Sequence, residues 1–369
     1  MPNTLVDEDW EVITGLLPPH WEQAAVEYKA LQRARGIGSP EVLLRLILLH
    51  VATGLSLRQT TMRARLLGLA SISDVALLKR LRVAEPWLRA LCQELTGRSV
   101  DNVTRLPAQF GDRRLRVIDA TTVQEPGASA TSWRMHFSLC LPSLQCDFFE
   151  ITDARGAETY DRFPAQRGDI LLADRGYSQR KGVAHLIAQD ADYVVRLVAH
   201  NFPLKHARGV KFEALGEFQK LATQPGEWAV QFEVGGRRYP ARLCAIRKSA
   251  LATERARAKA RRKSVHDGLN PDAESLALTE FIYVLTSLPA EACPTETVLE
   301  MYRMRWQIEL VFKRLKSLLG LGHLPKYDDR SCRAWLHAKM LCALLIGELT
   351  RSARFFSPWG YRLRGSAPR

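Results

Sequence analysis

An apolar run that stops on an acid constrains residues 112–200 more than any other feature. In DILLADRGY, Ile170 to Ala173 are apolar and Asp174 ends the run. Such a run, bounded by polar residues, reads as a strand buried on both faces, the habit of a parallel sheet. Gly176 allows a tight exit, and Ser178 can cap a helix over QRKGVAHLIAQD. ADYVVRLVAH is the next strand. Upstream, RLRVIDATTV sets Asp119 inside an apolar, β-branched strand. Glu125-Pro126-Gly127 is a turn. WRMHFSLCL and CDFFEITDA follow as two strands joined through Pro142-Ser143, which suggests an antiparallel meander. Ala157–Ala165 is a short helix or loop.

The resulting order is β-β-β-α-β-α-β, that of a ribonuclease H-like core with acids on its first and fourth strands. The flanks differ in texture. Residues 1–110 read as an all-helical domain punctuated by Pro18, Pro19 and the Gly36–Pro40 stretch. Ser39, Ser56 and Ser73 stand where helix N-caps belong, Gly54 and Gly68 where helices stop, and Pro86 where one breaks. Arg58, Arg63, Arg65, Lys79, Arg80 and Arg82 on these short helices fit a helix-turn-helix-like DNA-binding bundle, and equally a plain bundle with a solvated basic face. Residues 201–280 form a β-rich basic insertion, with a hairpin turning at Gly235-Gly236. Residues 281–330 return to the core with the strand FIYVLTSLP and a long helix from Pro294-Thr295-Glu296. A C-terminal helix and tail occupy 331–369. The class is mixed α/β.

Net charge decides the partner class. The chain of 369 residues carries +14, which points to a polyanion, and nucleic acid is the commonest. In 255–263, Arg255, Arg257, Lys259, Arg261, Arg262 and Lys263 put six cations in nine residues, a pattern suited to phosphate. Seven scattered cysteines with no C-x-x-C pair suggest neither a disulfide framework nor a zinc ribbon. His136, Cys140 and Cys146 alternate along strand-like sequence and read as structural. The N-terminus lacks a signal-peptide core, and the apolar runs near 42–52 and 340–347 are too short to span a bilayer. A reducing cytoplasmic setting, close to the nucleoid, fits.

One further helix carries chemistry. In YRMRWQIELVFKRLK, Arg305, Glu309 and Lys316 follow Tyr302 by 3, 7 and 14 residues. At about 100° per residue these fall near 300°, 340° and 320°, one stripe beside an apolar seam of Ile308, Phe312, Leu315 and Leu319. A carboxylate among cations and an aromatic can hold a metal and a phosphodiester. Ordinary surface pairing of Glu309 with Lys313 accounts for the same residues taken alone. Asp119 and Asp174 shift the balance. Buried carboxylates stay charged when they converge on a divalent cation, and paired Mg2+ ions serve in-line phosphoryl transfer. Asp112, Asp153 and Asp161 belong to turns. Asp169 is the strongest rival to Asp174, but it precedes its strand.

Together, D119-A-T-T-V, D174-R-G-Y and Y302-x2-R305-x3-E309-x6-K316 resemble the IS-four family of bacterial insertion-sequence transposases. The last pattern is that family's Y-R-E-K signature with its spacing intact. The resemblance covers roughly 110–320. It implies a DNA transposase that binds terminal inverted repeats and carries out metal-dependent strand cleavage and strand transfer. By the same resemblance Asp119, Asp174 and Glu309 are the catalytic, metal-binding triad, with two Mg2+ ions and Mn2+ as a substitute. Tyr302, Arg305 and Lys316 would contact phosphates at the transposon end. Trp228 and Trp306 are candidates for an aromatic stacked on a flipped base. Arg255, Arg257, Lys259, Arg261 and Arg262 would grip DNA, and a homodimer is implied in the DNA complex. An inert DNA-binding derivative and a nuclease without strand transfer are the competing readings.

Overall fold

The computed structural model describes residues 4–33, 36–101, 112–266, 268, 272–322, 324–326 and 328–353. The expected junction near residue 110 and the tail after 353 lie outside the described residues. Six helices come first: α1 (Thr4–Leu16), α2 (Trp21–Glu27), α3 (Pro40–Thr53), α4 (Leu57–Leu66), α5 (Asp74–Val83) and α6 (Glu85–Asp101). Their boundaries follow the caps in the sequence. The Ser39 hydroxyl accepts the Val42 N–H, and Ser73 accepts that of Ala76. Ser56 and Gln59 form a reciprocal capping box, which satisfies two backbone donors at the start of α4. Gly54 closes α3 at φ 71°, in the left-handed region that glycine enters without strain.

Three antiparallel strands follow, β1 (Arg114–Val123), β2 (Trp133–Leu141) and β3 (Gln145–Asp153). The helix expected between the third and fourth strands is only a 3-10 turn at Tyr160–Arg162. β4 (Asp169–Ala173) lies parallel to β1, α7 (Arg180–Ala188) crosses over, and β5 (Asp192–Arg196) lies parallel to β4. Apart from that turn, the order up to here is the expected one. The insertion adds β6 (Lys205–His206), α8 (Ala214–Gln219), β7 (Gly226–Val234), β8 (Arg237–Arg247), α9 (Ala250–His266) and α10 (Ala273–Leu278). β9 (Phe281–Thr286), α11 (Thr295–Met304), α12 (Trp306–Leu318) and α13 (Asp329–Ala353) complete the order.

The insertion joins the same sheet. β9 pairs antiparallel with β5, and β8, β7 and β6 continue outward, giving the order β3-β2-β1-β4-β5-β9-β8-β7-β6. Pairing spends the open edge of β5, which would otherwise expose unpaired backbone groups. β7 and β8 turn at Gly235 and Gly236, both at positive φ, as the two-residue hairpin requires.

Two apolar clusters sandwich the sheet. One unites Leu115, Val117, Leu172 and Val194 of the strands with α11, α12, α13 and the N-terminal helices. The other packs Ile118, Tyr177, Leu186 and Val195 with the aromatic core of the insertion. α13 packs on α3, α5 and α6 as well as on β3. Arg82 of α5 reaches Asp328 (2.8 Å) and the Ser331 hydroxyl (3.0 Å) at the start of α13. Among the described residues no helix is long and apolar enough to cross a membrane.

Candidate active site

The sheet register sets the two aspartates side by side. β1 and β4 pair in parallel as far as Val117 opposite Leu172. Two residues on, Asp119 is level with Asp174, on neighbouring strands about 4.8 Å apart. Side chains alternate faces along a strand. Asp119 therefore shares the face of Leu115 and Val117, and Asp174 that of Ile170 and Leu172. All four apolar residues belong to the cluster that holds Ile308, Phe312 and Leu315 of α12. Asp119 thus lies midway along β1, just beyond its parallel pairing with β4, and Asp174 just past the carboxyl end of β4, on the face α12 covers. β4 and β5 pair as far as Ala173 opposite Val195, so Arg196 extends the same row beyond Asp174.

Local geometry holds each acid. Asp119 Oδ1 accepts the Ala120 N–H at 2.8 Å. Asp174 leaves β4 into a 3-10 turn over Arg175–Tyr177, and its Oδ1 accepts the Gly176 N–H at 2.7 Å. Gly176 leaves room for the Glu158 carboxylate. A Cβ there would lie 2.2 Å from Glu158 Oε2 and 3.1 Å from Asp174 Oδ1. Asp169, the rival acid, is at the opposite end of β4, fully buried and clamped by Arg114 (2.7 and 2.9 Å) and Arg116 (3.0 Å). It is structural.

The long helix of the sequence reading is two helices. Arg305 lies between α11 and α12 with helical φ −52° and ψ −29°. The turn is tightened by i→i−3 bonds: the Arg305 N–H donates to the Tyr302 carbonyl (3.1 Å) and the Ile308 N–H to that of Arg305 (3.2 Å). The four signature residues consequently differ in setting. Tyr302 is buried at 7% exposure, Arg305 and Glu309 are half-buried and Lys316 is exposed. Arg305 links two acids: its guanidinium is 2.5 Å from Glu309 Oε1 and 3.7 Å from Asp119 Oδ2, and it lies over the Tyr302 ring at 5.8 Å.

Electrostatics mark this spot as short of positive charge. Burial, then the charge of Asp174, pushes the Asp119 carboxyl up from 3.8 to about 7, against the Ala120 hydrogen bond and Arg305; Glu158 adds to the rise. Glu158 is a fourth acid that the sequence reading missed. Its carboxyl is raised by burial and by Asp174, with Arg134 at 3.9 Å opposing. A loop acid with no periodic pattern around it gives no signal in sequence. Arg196 was missed too, although it ends the apolar run YVVR as Asp174 ends ILLA. Arg196 and Arg175, after burial, pull the Lys248 ammonium down to about 8, so three cations crowd the edge beyond Asp174.

Oxygen donors and uncompensated carboxylates suit a hard divalent cation. Asp119 and Asp174 are already adjacent. Among the described residues, however, no three His, Cys, Asp or Glu side chains stand together as one ion's ligand set. Glu309 is drawn to Arg305 instead. The remaining candidates divide. Trp306 is 55% exposed beside Arg305, whereas Trp228 packs among Phe212 and Phe218 (5.9 and 5.4 Å). The basic run is the helix α9, where Arg255, Lys259, Arg261 and Arg262 are exposed and Arg257 is paired with Glu280. α9 follows β8, whose end lies beside the start of β9 and near Arg196.

Residues 148–345 match the transposase DDE domain family. The chain is 36% identical over 365 residues to the putative transposase InsL of insertion sequence element IS186A from Escherichia coli (strain K12), covering 95% of this chain and 96% of that protein. It is likewise 36% identical over 366 residues to the transposase of insertion sequence element IS421 from Escherichia coli, with 95% and 96% covered. Among solved structures it resembles a piggyBac transposase synaptic complex with hairpin DNA, at a TM-score of 0.46 and 9% identity, covering 94% of this chain and 74% of that one. The chain belongs to the DDE transposases of bacterial insertion sequences, the IS-four family whose signature it carries, and is a divalent-metal-dependent enzyme that acts on DNA.

Proposed function

We propose that the chain binds the terminal inverted repeats of its element, hydrolyses one strand to free a 3′-OH, and uses that hydroxyl in strand transfer. Asp119, Asp174 and Glu309 are assigned as the carboxylates that hold two Mg2+ ions, with Mn2+ able to substitute. The observation that carries this is the register of β1 and β4, which makes Asp119 and Asp174 neighbours on the face where α12 brings Glu309. When bound, the ions supply Lewis acidity to the attacking and leaving oxygens.

The chain's own residues hold and aim the DNA. Arg305 exchanges its carboxylate partners for a phosphate oxygen, which frees Glu309 to turn toward the aspartates. Tyr302 and Lys316 flank that phosphate, and Trp306 offers an exposed ring for a base. Arg175, Arg196 and Lys248 carry the backbone along the sheet edge toward α9, where Arg255, Arg257, Lys259, Arg261 and Arg262 continue the positive path. Residues 1–110 form the DNA-binding part, 111–200 and 281–330 the core, 201–280 the basic insertion and 331–369 the closing helix and tail. Two copies pair in the DNA complex, in the cytoplasm at the nucleoid.

Asp119→Ala, Asp174→Ala and Glu309→Ala should each abolish Mg2+-dependent cleavage of end DNA and keep gel-shift binding. Cleavage at the wild-type rate by any one removes that residue from the triad. A plasmid transposition assay that scores joining as well as cleavage separates a transposase from a nuclease or an inert binder.

A further inference from the structure

The six cations of α4 and α5 have different fates. Arg80 donates to the Arg33 carbonyl at 2.6 Å, and Arg82 is held by Asp328 and Ser331. α5 is thereby fastened to the loop before α3 and to the start of α13. Arg58, Arg63 and Arg65 of α4 are exposed and have no ion pair among the described residues, and α4 contains no acid.

α3 and α4 are joined by three residues, Gly54 to Ser56, and such a short, glycine-opened turn is the mark of a helix-turn-helix. α3 is buried along most of its length, through Leu43, Leu44, Leu46, Ile47, Leu48 and Val51. α4 buries only Thr60, Thr61 and Ala64. At about 100° per residue those three share one side, and Met62 and Leu66 lie opposite. Arg58 and Arg65 flank that ridge on one side and Arg63 on the other. Met62 is 59% exposed and Leu66 84%, two large apolar side chains one helical turn apart on the uncovered side of α4.

We propose that α4 is the helix that reads the transposon end, inserted in the major groove of duplex DNA. Met62 and Leu66 face the base edges, where apolar side chains distinguish the thymine methyl, and the three arginines reach phosphates on both walls or guanine edges. α3 supports it from behind. α5 contributes less to reading, because Arg80 and Arg82 are held by protein groups and only Lys79 is exposed. The assignment rests on the proposed end-binding transposase and specifies which surface confers the sequence preference.

The test uses the full chain in chelator, with gel shifts on a duplex carrying the element's terminal repeat and on a scrambled duplex, at several salt concentrations. Met62→Ala with Leu66→Ala should cut the preference for the repeat at least about tenfold and leave scrambled-DNA binding unchanged. Arg58→Ala, Arg63→Ala and Arg65→Ala combined should weaken binding and lower the salt slope by about 2 to 3. Thermal melts confirm folding, and Lys220→Ala at the end of α8 is the neutral control. Unchanged preference and slope in both variants overturn the proposal. So does an altered oligomeric state with DNA binding intact, which would make α4 a contact between copies. If these fail while Asp119→Ala still abolishes cleavage, the transposase reading stands and only the reading helix is wrong.

Discussion

Asp119→Asn should stabilise the metal-free protein at alkaline pH. In the folded chain the Asp119 carboxyl is raised from 3.8 to about 7, chiefly by burial and then by Asp174. A carboxyl raised by folding binds its proton more tightly folded than unfolded, so the wild type loses stability as pH climbs through that window. The loss is complete above about pH 7 and has a ceiling of about 4 kcal/mol. Asparagine keeps an oxygen to accept the Ala120 N–H but carries no charge. The rise to about 7 already includes the opposing attraction of Arg305 at 3.7 Å, and partial solvent exposure of the carboxyl screens the full cost. The expected net gain at pH 8 is therefore about 2 to 3 kcal/mol, several degrees in Tm. The assay is a melt of both proteins in chelator from pH 4 to 9. The curves should meet near pH 4 and diverge toward pH 8. Mg2+ added at pH 8 should raise the wild type and leave the variant nearly unmoved. A gap that is absent at pH 8, favours the wild type or ignores pH would refute crowding of negative charge at Asp119.

Other perturbations probe the surroundings. Arg305→Gln removes the cation that competes for Glu309, so Mn2+ should bind the DNA-free variant several-fold more tightly by electron spin resonance titration; equal or weaker binding would show that Arg305 does not hold Glu309 back. Gly176→Ala should displace the Glu158 side chain and reduce cleavage, and Glu158→Ala on the same background should restore part of it; no recovery would place the clash elsewhere. Asp169→Asn removes the buried carboxylate that pairs with Arg114, while Asp147 at 2.6 Å still holds Arg116, and should cost about 3 kcal/mol in denaturant unfolding; a loss under 1 kcal/mol would contradict the clamp. Lys316→Ala should reduce the salt slope of end binding by about one, and an unchanged slope would remove Lys316 from the phosphate contacts.

What the sequence disclosed was local. Serine caps, left-handed glycines and the hairpin at Gly235-Gly236 act over a few residues, and each sits where its chemistry predicts. Asp119 and Asp174 were legible because a charge closing or interrupting an apolar strand is costly without a purpose. The union of the insertion with the sheet was not, because β5 meets β9 only after the chain has run out through β8 and returned. Nor was the break at Arg305. No glycine or proline marks it, and the tight turn arises where α11 packs across β4, β5, β8 and β9 while α12 packs on β1. Spacing alone gave Tyr302 and Lys316 the same face. Which part of that face meets the core depends on the tightened turn and on the sheet beneath.

The closing of α13 over α3, α5 and α6 has a consequence for how the enzyme measures DNA. The first and last helices share one apolar core with the strand that carries Asp119. Among the described residues, packed side chains therefore connect the proposed reading helix to the proposed carboxylates. If both proposals hold, that packing makes the molecule a caliper of fixed gauge. The number of base pairs from the recognised sequence to the scissile bond would then be set by the thickness of packed helices, and lengthening the end by one base pair should misplace the cut, where a tethered enzyme would stretch to reach it.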